Sequence, residues 1–157
     1  MIGNPMNAGV GPGSSVLRAD VTDKTADGAH KIVPMRAARD YTIEERDPDP
    51  RGMSVIAADR EVAGTVLDVW VDRSECLIRY LEVETKNGKR VLLPWNFSKL
   101  DRMRKRINVS SIMANQFSGV PGTKSADRVT LREEDEICAY FGAGQLYAKP
   151  SRAEPLL

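Results

Sequence analysis

Residues 61–94, EVAGTVLDVWVDRSECLIRYLEVETKNGKRVLLP, decide how this chain folds. Leu67, Val69 and Val71 share one parity and Asp68, Trp70 and Asp72 the other, the period-two alternation of a half-buried strand. Leu77, Arg79, Leu81 and Val83 then alternate with Ile78, Tyr80, Glu82 and Glu84. Asn87-Gly88 is the strongest short signal for a hairpin. Arg90–Leu93 returns as a third strand, which Pro94 closes by lacking a ladder donor. The expected core is Val66 or Leu67, with Val69, Val71, Leu81, Val83, Leu92, Ile107 and Val109.

Working outward, Arg106–Val109 reads as a further strand. Upstream, Lys31–Arg36 is a short strand that Pro34 restricts to an edge or a bend. Asp47-Pro48-Asp49-Pro50 is a stiff extended linker, because a residue before proline is driven out of the helical region. Residues 1–30 carry Gly3, Gly9, Gly11, Gly13 and Gly28 with Pro5 and Pro12; they should be irregular and pack few apolar side chains. Downstream, Thr130 and Glu133 form a capping box that opens a helix over about 131–141. Ile137 and Phe141 give it an apolar stripe, and Gly142-Ala143-Gly144 is its expected stop. Short strands joined by tight turns predict a mainly β fold, a small closed or half-closed antiparallel barrel over 51–112. An irregular extension (1–50) precedes it and a segment with the capped helix and a tail (113–157) follows.

At 157 residues the chain holds one domain, and a hydrophobic fraction of 41% suffices for a core. The net charge of +1 argues against a general polyanion binder. Cys76 and Cys138 form no CxxC pair, which points to a reducing setting without a disulfide framework or zinc site. No run of 18 apolar residues predicts a membrane span, and the first residues lack the regions of a signal peptide. Opening in loop-like sequence suggests a piece of a longer protein.

The candidate site is the first turn of the 61–94 stretch. Asp72 and Glu75 lie in it, and Arg79 stands just inside the next strand on the parity of Leu81 and Val83. An arginine on a core face must cap the mouth of the barrel or pair with a carboxylate, since an unpaired buried charge is very costly. Carboxylates clustered near an arginine titrate as a coupled set and can hand protons along a water chain. The competing reading is a solvated turn with an incidental ion pair. His30 is the sole histidine, with an ordinary pKa near neutrality; with Asp23, Asp27 and Lys31 it suggests a surface proton antenna. Residues 86–106 hold eight basic residues against the single acidic Asp101. Anionic headgroups, an acidic partner or nucleic acid would each suit that charge, although only Trp95 and Phe97 are there to stack on bases. Glu82 and Glu84 are merely neighbours on one strand and make no glycosidase pair. No phosphate loop, nucleophile elbow or metal spacing occurs, so the sequence does not read as an enzyme.

The stretch EVAGTVLDVWVD…RYLEVETKNGKRVLLPWNFSKL…KRINVSSI resembles the PRC-barrel. That fold is shared by reaction-centre H subunits of purple bacteria, ribosome maturation factors and stand-alone bacterial proteins. The flanks GNPMNAGVGPGSSVLRAD, KIVPMRAARDY and QFSGVPGTKSADRVTLREEDEICAYFGAGQLYAKP resemble the H subunit in particular, so the likeness covers essentially the whole chain. The resemblance implies the cytoplasmic domain of a non-catalytic subunit on the chromatophore membrane, here without the family's transmembrane helix. Such a domain caps the L and M subunits, which order its N-terminal extension, and supports proton transfer to the secondary quinone. By resemblance Asp72, Glu75 and Arg79 match the ionisable cluster near that quinone, Lys31 and Glu134 match further positions of the network, and His30 matches the proton entrance approximately. Asp23 and Asp27 would share that entrance. The resemblance implies no cofactor on this chain, with bacteriochlorophyll, bacteriopheophytin, quinone and non-haem iron in L and M. It implies contact with the membrane surface through the missing helix and the basic patch, and no nucleic acid. The alternative is an RNA- or ribosomal-protein-binding barrel of the ribosome maturation type.

Overall fold

The computed structural model describes residues 20–25, 28–38 and 48–147. Asp27, Asp47, most of the glycine-rich lead and the tail after Tyr147 lie outside the described residues.

One seven-stranded sheet forms the body: β1 (Ile32–Pro34), β2 (Ser54–Ile56), β3 (Val62–Asp72), β4 (Leu77–Thr85), β5 (Arg90–Pro94), β6 (Lys99–Asp101) and β7 (Arg106–Asn108). A long helix, α1 (Leu131–Tyr147), follows. The strand order is β5-β4-β3-β2-β7-β6, and β1 lies beside β3. β3 carries the architecture. Its first half pairs with β2 and its last three residues pair with β1, Ile32 opposite Asp72 and Pro34 opposite Trp70. Its other edge is taken along most of its length by β4. The PRC-type reading holds, and the expectation of a closed or half-closed antiparallel barrel gives way to a mixed, open sheet. β2 and β7 run parallel, and the sheet does not close. β2 and β6, each three residues long, are too short to show a period in sequence.

The alternation read along β3 also needs correction, because a bulge interrupts it. Val66 opposes Val83 and Asp68 opposes Glu82, leaving Leu67 as the extra residue. The parity therefore changes at Leu67. Val66 is buried and Leu67 is 36% exposed, while Val69 and Val71 return to the core. β3 is not half-buried either: Asp68, Trp70 and Asp72 are buried on its other face. The rest of the expected core, from Leu81 and Val83 to Ile107 and Val109, is buried. The core also reaches upstream of Arg51, through Ile32, Val33, Met35 and Ala38.

The β4–β5 turn follows from its sequence. Gly88 takes φ +86°, a left-handed conformation that costs glycine little, and its N–H donates to Thr85 O at 2.9 Å. The Thr130–Glu133 capping box forms in both directions: Thr130 N–H donates to Glu133 Oε1 at 2.8 Å, and Glu133 N–H donates to Thr130 Oγ1 at 3.1 Å. α1 then runs past the expected stop at Gly142–Gly144, whose residues are buried. Burial of the small Gly-Ala-Gly face offsets its weak helix propensity. Phe141 anchors the helix between Phe97 and Phe117, at ring distances of 5.8 and 5.9 Å.

Candidate functional site

The site is built where β3 ends. Asp72 is fully buried, and its two carboxylate oxygens do different work. Oδ1 accepts the backbone N–H groups of Ser74 (2.9 Å) and Glu75 (3.1 Å), which closes the β3–β4 turn. Oδ2 faces two cations, Arg79 Nη1 at 3.3 Å and Lys31 Nζ at 3.6 Å. Lys31 arrives because β1 pairs with the end of β3, so the residue before Ile32 lies beside Asp72. Arg79 arrives through a second bulge. Trp70 opposes Tyr80 and Val71 opposes Ile78, leaving Arg79 without a partner across the ladder.

That bulge corrects the parity argument. Leu81 and Val83 are fully buried, whereas the Arg79 side chain is 39% exposed and is not held in the core with them. It pairs with Asp72 as expected, but from the rim.

The network continues inward and outward from this centre. Arg79 Nη2 lies 3.7 Å from Glu134 Oε1, in the first turn of α1. The buried Tyr80 hydroxyl donates to the same oxygen at 2.8 Å. Burial, reinforced by the charge of Glu134, pushes the Tyr80 hydroxyl far above its ordinary pKa, so it stays a donor. On the outer side, Lys31 Nζ is 3.6 Å from Asp23, whose side chain is 43% exposed. The Asp72 carboxylate holds the Lys31 ammonium above its usual pKa; Asp23 and Glu75 add to this and partial burial opposes it. A ladder of alternating charge thus runs from half-exposed Asp23 through Lys31, Asp72 and Arg79 to Glu134.

Glu75 is exposed. Among the described residues its carboxylate has no ion-pair partner, so it contributes to the turn through its N–H and to Lys31 through its charge. His30 stands beside the ladder rather than in it. Its Nδ1 shares a hydrogen bond of 2.7 Å with Thr22 Oγ1, and its carbonyl accepts Arg73 Nη2 at 2.6 Å. Partial burial, with Arg128, Lys24 and Arg73 nearby, pushes the imidazole below its usual pKa. Asp27 falls outside the described residues.

A second polar cluster escaped the reading of the sequence. Arg36 Nη1 donates to Asp68 Oδ2 (3.1 Å) and Glu82 Oε1 (2.9 Å), and Trp70 Nε1 donates to Glu82 Oε1 at 2.9 Å. Asp68 and Glu82 are opposite one another across β3 and β4 and both are buried. An arginine just after the edge strand was the available hint; the bulge at Leu67, invisible in sequence, turns Asp68 towards it. Among the described residues no group of histidine, cysteine and carboxylate side chains is arranged to hold a metal ion.

Two families match this chain. Residues 42–116 match the model of the PRC-barrel domain. Residues 1–37 match that of the photosynthetic reaction centre, H-chain N-terminal region.

Proposed function

We propose that this chain is a photosynthetic reaction-centre H chain with a PRC-barrel as its β domain, that it caps the L and M subunits at their cytoplasmic face, and that it supports proton transfer to the secondary quinone. The H-chain family is a structural subunit of an electron-transfer complex, associated with other reaction-centre subunits in the photosynthetic membrane. Among the described residues no helix is long and apolar enough to cross a membrane. The H-chain match over residues 1–37 favours this reading over a ribosome-maturation barrel.

The observation that carries the proposal is the graded ladder at the end of β3. Asp72 is fully buried, yet it connects through Lys31 to the half-exposed Asp23 and through Arg79 to the buried Glu134. The two cations offset the cost of burying the carboxylates. In this reading protons pass along the carboxylate oxygens that the two cations hold in place. Exposed Glu75, whose backbone N–H is fixed at the turn by Asp72, serves as the proton-carrying carboxylate on the rim. Lys31 and Arg79 keep their charge and set the local potential. In this reading the chain is non-catalytic and binds no cofactor. Pigments, quinone and iron belong to L and M, consistent with a single histidine whose Nδ1 is taken by Thr22.

The test is flash-induced proton uptake in assembled reaction centres carrying Glu75→Gln. Proton-coupled transfer of the second electron should slow, because that step waits for a delivered proton. Unchanged uptake and second-electron rates would leave Glu75 an ordinary rim residue and remove the proton-transfer reading.

A further inference from the structure

A groove of about 790 Å³ lies on the far part of the sheet, between the segment after β2 and strands β6 and β7. Arg60, Lys99, Arg104 and Arg106 line it, with amides from Asn96 and Asn108, and no carboxylate lines it. The charge is poorly compensated. Asp101 is the only acidic residue of the β6–β7 hairpin, and it is shared between Arg104 Nη1 (3.4 Å) and Arg106 Nε (3.7 Å). Arg106 Nε is buried without a hydrogen-bond acceptor, an unsatisfied donor of the kind that a bound oxyanion resolves. Among the described residues neither Arg60 nor Lys99 has an ion-pair partner.

The tip of the same hairpin carries Met103, 95% exposed between Arg102 and Arg104. A large apolar side chain held in water by a turn and flanked by cations suits a surface that is charged outside and apolar beneath. Nucleic acid suits it less well. Stacking on bases needs free aromatic faces, and the groove's aromatic, Phe97, is stacked on Phe141 at 5.8 Å. Trp95 likewise packs against the core.

We propose that this groove binds the phosphate of an anionic phospholipid headgroup, with Arg60, Lys99, Arg104 and Arg106 surrounding the phosphate and Met103 entering the bilayer interface. The inference shares only the membrane setting with the proposed function. It is read by vesicle binding without proton uptake, so either can fail alone.

The test is flotation of the 157-residue chain with phosphatidylcholine vesicles, with and without phosphatidylglycerol, at low and high salt. Binding should require phosphatidylglycerol and fall with salt. Arg60→Gln and Lys99→Gln, both at exposed positions, should each weaken binding by about fivefold. Met103→Ser should weaken it while leaving the salt dependence unchanged. Thermal unfolding of the three variants should match the parent, since none removes a contact of the core. Equal binding to neutral vesicles, or binding indifferent to all three substitutions, would overturn the proposal. So would inorganic phosphate saturating the groove without any preference for vesicles. Tighter binding to single-stranded RNA than to the anionic vesicles would transfer the groove to another class of partner.

Discussion

Replacing Asp72 by Asn tests the centre of the network with almost no change of shape. The amide oxygen can still accept the N–H groups of Ser74 and Glu75, so the β3–β4 turn should survive. The other side of the group then presents N–H donors to Lys31 and Arg79, where an anionic oxygen sat at 3.6 and 3.3 Å. Removing one partner of a fully buried ion pair costs about 3–5 kcal/mol. Here the cations keep 22% and 39% of their side-chain exposure, and water recovers part of the loss. The expected destabilisation is therefore about 2–3 kcal/mol. For a chain of this size that lowers Tm by roughly 4–12 °C. Asp72→Ala should cost about 1 kcal/mol more, because the Ser74 and Glu75 N–H groups lose their acceptor at a turn where water can partly replace it. Glu75→Gln, an exposed change, should stay within about 0.5 kcal/mol of the parent. The assays are thermal unfolding and an NMR titration of Lys31, whose pKa should fall back towards 10.5 in Asp72→Asn while Asp23 and Glu75 hold part of the shift. An Asp72→Asn variant that melts with the parent and leaves the Lys31 titration unmoved would refute the claim that this buried carboxylate organises the cluster.

Three further outcomes are expected. Gly64→Ala should be severely destabilising, beyond about 3 kcal/mol, because a Cβ there would sit 2.1 Å from the Glu84 carbonyl and force β3 from β4; denaturant unfolding measures it. Thr130→Ala removes one arm of the capping box and the bond to Asp20 (2.7 Å), and should cost about 1–2 kcal/mol by the same measurement. His30 titrates below its usual 6.5 in the folded chain, so the unfolded chain binds the proton more tightly. The stability this confers is complete above pH 6.5 and is lost as pH falls through the lower folded value. His30→Gln should flatten the stability profile in that window, and a profile unchanged by the substitution would contradict the shift.

Much of the site was legible because its members are ordinary consequences of local sequence. Two carboxylates in a tight turn, an arginine four residues later and a lysine opening an edge strand are all visible in the order of residues alone. Arg79 meets Asp72, but the bulge at Arg79 breaks the parity that predicts their pairing, so the pairing stands on different grounds. Only the resemblance puts Glu134 in the network. Its contact with Tyr80 spans 54 positions, and nothing near either residue announces it. The cluster of Arg36, Asp68 and Glu82 was missed for the same reason, since Asp68 joins it only through the parity change at Leu67.

The sequence by itself determined the elements whose causes lie within a few residues: the β3–β4–β5 meander, the turn at Gly88, the capped start of α1 and the core of Leu81, Val83, Ile107 and Val109. Period, turn chemistry and capping act over that range, and each is satisfied by its own neighbours. The tertiary structure decided the rest. Whether the sheet closes, that β2 and β7 lie parallel, and where β3 and β4 bulge depend on how distant strands share one sheet. Those same decisions set which charges face each other. A one-residue bulge reverses the face of every residue beyond it, so the partners of Asp68, Asp72 and Arg79 were settled by pairing across the sheet, at a distance no local pattern reaches.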